Sequence, residues 1–114
     1  KNFIPGYTFC PSVTYNLLEK FMKVCPKAHV GGITSNDYFY NPDNLWWKKH
    51  KEMGVLAVEM ETHILYALAN KFNKKALSVN TVADHLEKSS KHMTSKERET
   101  SFNTMIEAVF DTLC

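Results

Sequence analysis

Apolar residues recur along this chain with two alternating periods, and the alternation predicts helices and strands in turn. The first helical pattern follows Ser12, the candidate N-cap, and Pro26 ends it. Its apolar positions share one face: Val13, Leu17, Leu18, Phe21 and Val24. Residues 28–35 then predict a short strand, and the turn-rich residues 35–44 predict a loop.

The second half of the chain repeats this alternation. Residues 45–53 predict a weaker helix, residues 55–60 a strand preceded by Gly54, and residues 61–72 a helix. Residues 74–85 predict a further strand, which ends at Asp84 and His85. Thr94 and Glu97 form a capping-box pattern that opens a last helix. Strands that alternate with helices indicate an α/β fold with a largely parallel sheet.

The composition indicates a soluble globular protein and bears on which partners are expected. The chain has 114 residues, 44% of them hydrophobic and 23% charged, which is typical of one soluble globular unit. The net charge of +2 is spread along the chain, which argues against a nucleic-acid partner. No apolar run reaches the roughly 18 residues of a membrane span, so no membrane partner is expected.

The cysteines and the first residues bear on compartment and completeness. The three cysteines have no CxxC spacing, which favours reduced thiols in a cytoplasmic protein. Residues 1–12 resemble a loop from the middle of a protein, and no initiator Met precedes them. We therefore expect a fragment or a processed chain.

Acidic residues stand where two predicted strands end. Glu59 and Glu61 flank Met60 at the end of one strand, and Asp84 ends the next. Ligands of open α/β sheets bind beyond the carboxyl ends of strands, and a sugar diol offers hydroxyl donors to a carboxylate. The alternative for Glu61 is a first-turn acid favoured by the helix dipole.

Arg98 and an aromatic loop complete the candidate chemistry. Arg98 lies four residues before Phe102 on the apolar stripe of the last helix, so it is predicted to point inward, towards Asp84. A structural salt bridge is the alternative. The aromatic residues 38–40 form either part of the core or a wall on which a base stacks. No metal-ligand spacing, dinucleotide fingerprint or P-loop is present, so neither a metal nor a cofactor is expected.

These segments together resemble a known family. The stretches "AVEMET", "TVADH", "SKERETSFN" and "DYFYNPD" are similar to those of bacterial-type (DeoD-like, hexameric) purine nucleoside phosphorylases. The resemblance covers only the C-terminal half of such an enzyme. It implies a three-layer nucleoside phosphorylase-like fold, here an incomplete half over residues 1–114, with a mixed, largely parallel sheet. It also implies phosphorolysis of purine nucleosides with phosphate as co-substrate, in a homo-oligomer.

The resemblance implies a role for each candidate residue. Asp84 resembles the general acid that protonates N7 of the purine, and Arg98 the arginine that assists it. Three residues resemble the ribose site: Glu59, Met60 and Glu61. Four line the base pocket: Phe39, Tyr40, Val58 and Ala83. The phosphate site is expected in the half of the domain that these residues do not include.

Departures from the family pattern keep other functions open. Ala83 stands where the family has a serine, Asn80 is polar in an apolar position, and His63 replaces a small residue. One alternative is a phosphate-independent nucleosidase of the same superfamily. Another is a non-catalytic relative that binds nucleosides or serves in assembly.

Overall fold

The fold is α/β, with four helices and a small parallel sheet in the described part of the chain. A computed structural model describes residues 6, 8–87 and 92–114. Helices α1 (Tyr15–Val24), α2 (Trp46–Glu52), α3 (Thr62–Lys71) and α4 (Ser95–Leu113) accompany strands β1 (Ile33–Ser35) and β2 (Ala57–Glu59). The strands are parallel, and α2 lies in the crossover between them. The α/β class and the parallel pairing agree with the prediction.

Glycine and asparagine end two helices in the way their backbone freedom allows. After α2, Gly54 has φ of 79°, its N–H donates to the carbonyl of Lys51, and the N–H of Val55 donates to that of His50. This Schellman turn directs the chain into β2. After α3, Asn73 plays the same part with φ of 51°.

The predicted start of α1 at Ser12 was wrong. Thr14 occupies the N-cap position, two residues later, in an extended conformation. Its backbone N–H donates to the carbonyl of Ala76, and its hydroxyl accepts from the N–H of Ala76. These bonds keep Thr14 extended alongside Ala76, so the helix cannot begin before Tyr15.

The predicted strand over 74–85 was also wrong. Within the described residues, strand ladders join only β1 and β2, and Asp84 forms an isolated antiparallel bridge with His92. Backbone N–H groups of this segment instead reach side chains, as Ser78 does to the hydroxyl of Tyr66. An apolar run has the composition of a strand, but a strand also needs a backbone partner.

The core of the described part is small. Helix α1 packs against α4, and α3 packs against β1. The buried apolar residues are Phe21, Ala67 and Ala76. Large apolar side chains of α3 and α4 stay exposed instead: Ile64, Leu65, Leu68, Phe102, Ile106, Phe110 and Leu113. The apolar stripe predicted for α4 is therefore real, but little of it is covered.

Candidate functional site

The carboxylate of Glu59 organises the junction between β2 and α3. Ser35 and Glu59 are register partners at the carboxyl ends of the two strands. The Ser35 hydroxyl donates to one carboxylate oxygen of Glu59. The other oxygen accepts from the backbone N–H groups of Glu61, at 2.6 Å, and Thr62, at 2.5 Å. Glu59 thus caps the first turn of α3 from within the strand, satisfying N–H groups that have no helical partner.

Ser35 extends this arrangement into the helix. Its hydroxyl oxygen accepts from the N–H of His63 at 2.8 Å while its hydrogen is given to Glu59. One serine therefore links the ends of both strands to the first turn of α3. We call Ser35, Glu59 and these backbone N–H groups the junction network.

The junction network lowers the pKa of Glu59. Partial burial acts to raise the pKa, but the hydrogen bonds from Ser35, Thr62 and Glu61 stabilise the charged form and outweigh it. Glu59 is consequently a carboxylate at neutral pH.

We expect the junction network to make stability depend on pH. Because the folded pKa of Glu59 lies below its unfolded value near 4.5, its contribution is fully present above that value. It is lost as pH falls through the folded pKa. Glu59→Gln should cost about 1–3 kcal/mol at pH 7, since bonds to a charged acceptor are lost. Urea unfolding of the longest available polypeptide that carries these residues, at pH 7 and stepwise down to pH 3, measures both effects.

Two further variants sharpen this measurement. Ser35→Ala should reproduce part of the loss. Glu107→Gln, at an exposed position on α4, is the matched control. If Glu59→Gln lost as much stability between pH 5 and pH 3 as the wild type, the low pKa of Glu59 would not be the cause.

Glu61 has a different environment from Glu59. It occupies the N-cap position of α3 and makes no side-chain capping bond. Its side chain is exposed, and no hydrogen bond to its carboxylate is found among residues 6, 8–87 and 92–114. Met60 beside it is 40% exposed. Glu59 therefore caps α3, and the Glu61 carboxylate accepts no hydrogen bond from the described residues.

A polar chain connects α3 to the segment that precedes Asp84. The hydroxyl of Thr62 donates to that of Ser78 at 2.8 Å, and the amide of Asn80 donates to the same oxygen at 2.9 Å. This gives the polar residue Asn80 a partner. The sequence analysis missed Ser78 and Tyr66, because hydroxyl side chains show no regular spacing that would single them out.

Asp84 lies close to the side chains of His92 and Arg98. Its Oδ1 is 2.8 Å from Nδ1 of His92 and 3.4 Å from Nη2 of Arg98. Arg98 stands in the first turn of α4, whose start is set by the capping box of Thr94 and Glu97. The pairing of Arg98 with Asp84 follows the prediction. Its inward direction was wrong, because the Arg98 side chain is 44% exposed at the end of the apolar stripe.

The aromatic loop lies open. Phe39 and Tyr40 are 76% and 86% exposed, and their rings meet edge to face with centroids 5.0 Å apart. Asn36, Asn41 and Asp43 shape the loop by accepting backbone N–H bonds two residues on. Of the two interpretations left open for this loop, membership of the core does not hold in the described part. Val58 and Ala83 are half-buried.

Five of the nine predicted residues form two groups. Glu59, Met60 and Glu61 share the β2–α3 junction, and Asp84 with Arg98 forms the second group. In the part of the chain that the structure covers, no hydrogen bond joins the two groups, and the polar chain from Thr62 through Ser78 ends at Asn80.

An apolar groove lies elsewhere, between α1, α3 and α4. It has a volume of about 460 Å³, and Phe21, Leu65 and Val109 are among its lining residues. None of the nine predicted site residues lines it. Because its lining offers little hydrogen bonding for a polyol, the groove does not replace the two groups as the candidate site.

The described residues contain neither a cluster of metal ligands nor a membrane-spanning helix. No three His, Cys, Asp or Glu side chains in residues 6, 8–87 and 92–114 gather as metal ligands. None of the described helices has the length and apolarity to cross a membrane.

Comparison with known proteins gives one consistent result. The profile of the phosphorylase superfamily matches residues 3–114. The chain is similar to the DeoD-type purine nucleoside phosphorylase of a Bacillus cereus strain, with 42% identity over 111 residues. Those residues are 94% of this chain and 47% of the relative. The same identity and coverage hold for the proteins of that name from Bacillus thuringiensis (strain Al Hakam) and Bacillus mycoides (strain KBAB4). The chain spans about half the length of these relatives.

Proposed function

The chain belongs to the phosphorylase superfamily, and we propose that it is the C-terminal half of a purine nucleoside phosphorylase domain within a longer polypeptide. The family match agrees with the predicted nucleoside phosphorylase-like fold. The activity proposed is reversible phosphorolysis of purine ribo- and deoxyribonucleosides to the free base and the sugar 1-phosphate. Inorganic phosphate is the co-substrate, and the reaction needs no cofactor.

The observation that carries the proposal is the difference in hydrogen bonding between the carboxylates of Glu59 and Glu61. Glu59 is occupied by the junction network, while Glu61, two residues on, is exposed without a partner in the described chain. A carboxylate with open lone pairs accepts both hydroxyls of a ribose diol. We assign the diol to Glu61, place Met60 against the sugar, and keep Glu59 as the second acid on the ribose side.

Asp84 and Arg98 provide the chemistry at the base. In phosphorolysis, a phosphate oxygen bonds to C1′ of the ribose as the bond from C1′ to N9 of the purine breaks. The bonding electrons leave with the base, and a proton from Asp84 at N7 neutralises the charge that develops there. Arg98 lies against the same carboxylate and stabilises it after the proton has left. Phe39, Tyr40, Val58 and Ala83 are proposed to line the base pocket.

The exposed apolar surfaces support the view that this is half of a domain. Large exposed apolar patches mark surfaces that contact another protein surface, a membrane or a ligand. We propose that the remainder of the domain covers α3 and α4, closes the site and brings the phosphate-binding residues. By the family resemblance, we place the enzyme in the cytoplasm as a homo-oligomer, a hexamer.

Release of free base with and without phosphate tests the proposed reaction. The longer polypeptide is incubated with inosine or adenosine, and hypoxanthine or adenine is followed by absorbance. We expect release that depends on phosphate, together with ribose 1-phosphate. Release that ignores phosphate would point to the nucleosidase instead. Nucleoside binding without any release would point to the non-catalytic relative, and the 114-residue chain alone serves as the control for the incomplete site.

A further inference from the structure

Among the described residues, hydrogen bonds hold Asp84 through one of its two carboxylate oxygens. Both side chains that approach it, His92 at 2.8 Å and Arg98 at 3.4 Å, contact Oδ1. No hydrogen bond from the described residues reaches Oδ2. The two oxygens of this carboxylate therefore have different surroundings.

The backbone places His92 opposite Asp84. The two residues form an antiparallel bridge, and the N–H of Met93 donates to the carbonyl of Ala83 at 3.0 Å. Two residues after His92, Thr94 caps α4, which carries Arg98 in its first turn. The bridge and the cap thus belong to one continuous stretch of chain, and its two donors reach the same oxygen.

We propose that His92 is a positioning residue that selects which oxygen of Asp84 carries the proton. The inference rests on the proposed function, in which Asp84 is the general acid. In the tautomer with hydrogen on Nδ1, His92 donates to Oδ1, and the guanidinium of Arg98 donates there as well. A carboxyl proton on Oδ1 would face these two donors. The acid form therefore carries its proton on Oδ2, to which no described residue donates, and that proton can meet N7 of the purine.

Exposure argues that His92 contributes little to the stability of the fold. The side chains of His92, Asp84 and Arg98 are 59%, 49% and 44% exposed. Ion pairs in such positions add little to folding. A variant at His92 should therefore fold and still misdirect the carboxylate, which separates a positioning role from a structural one.

The test compares two substrates in the longer enzyme. Inosine needs a proton at N7 to release its base. 7-Methylinosine carries a fixed positive charge on the same ring and departs without one. We expect His92→Ala to lower kcat for inosine by up to about 100-fold, the order of loss from a catalytic group misplaced by about 1 Å. Its KM and the rate with 7-methylinosine should stay unchanged.

Two further variants complete the design. His92→Asn should restore most of the inosine rate, because the asparagine side-chain N–H lies where Nδ1–H of histidine lies. His29→Gln replaces an exposed histidine before β1, outside both groups of site residues, and should behave as the wild type.

Each other outcome overturns the proposal. An equal fall with both substrates would make His92 a structural residue. An unchanged inosine rate in His92→Ala would show that Arg98 orients Asp84 alone. Failure of the wild type to release base with phosphate would overturn the proposed function, and this inference with it, before any variant is compared.

Discussion

Asp84→Asn in the longer enzyme is expected to lower kcat for inosine by about 10²–10⁴-fold, the usual contribution of a general acid. Asparagine keeps the shape of the side chain and its bond to Arg98, but it has no proton to give to N7. The loss should therefore fall on the chemical step, with little change in KM. Steady-state rates with inosine at saturating phosphate measure the effect.

A substrate that needs no protonation at N7 serves as the control for this variant. With 7-methylinosine, Asp84→Asn should retain most of the wild-type rate, because the base leaves without protonation. Asp111→Asn, an exposed residue near the end of α4, should leave both rates unchanged. If Asp84→Asn turned over inosine at the wild-type rate, the proton would come from another group and the assignment of Asp84 would be wrong.

Glu61→Ala is expected to lower kcat/KM for inosine by roughly 10–100-fold, since each hydrogen bond to a charged acceptor contributes about 1.5–3 kcal/mol. The side chain accepts no hydrogen bond from the described residues, so its removal breaks none among them. The effect should appear mainly as a higher KM for the nucleoside. Initial rates over a range of inosine concentrations give both constants.

A substrate without the diol tests whether Glu61 acts through the ribose hydroxyls. The wild type should discriminate strongly against 2′,3′-dideoxyinosine, and Glu61→Ala should lose most of that discrimination. Glu107→Ala on α4 is the matched control. If Glu61→Ala lowered kcat/KM by the same factor for inosine and for 2′,3′-dideoxyinosine, the carboxylate would not bind the diol.

Local patterns predicted the elements that local forces build. The capping box of Thr94 and Glu97 and the helical periods each depend on residues a few positions apart, so the sequence shows them. The sequence also placed Gly54 before a strand, but the Schellman turn that Gly54 forms was not predicted. The pairing of Arg98 with Asp84 was also predicted, because Arg98 lies four residues before Phe102 on the apolar stripe of α4, where an arginine needs an acidic partner.

Features that depend on distant partners were not predictable. The sequence of residues 74–85 predicted a strand, yet strand pairing depends on a neighbouring strand that this segment does not specify. His92 lies in a polar stretch without period, and only the bridge to Asp84 reveals it. The two acids of the β2–α3 junction looked alike in sequence. They separate only because Ser35, 24 residues before Glu59, binds one of them.

The hydrogen bond between Ser35 and Glu59 also depends on the register of the two strands. They stand side by side in the parallel pairing, and a slip by one residue would separate them and turn the acid to the opposite face of the sheet. The chain between them, with the aromatic loop and α2, is held at both ends by this bond. Under the proposed function, we expect insertions and deletions in that crossover to alter which bases the loop admits while the acids at the end of β2 keep their place. Base specificity and sugar binding would then change independently of each other.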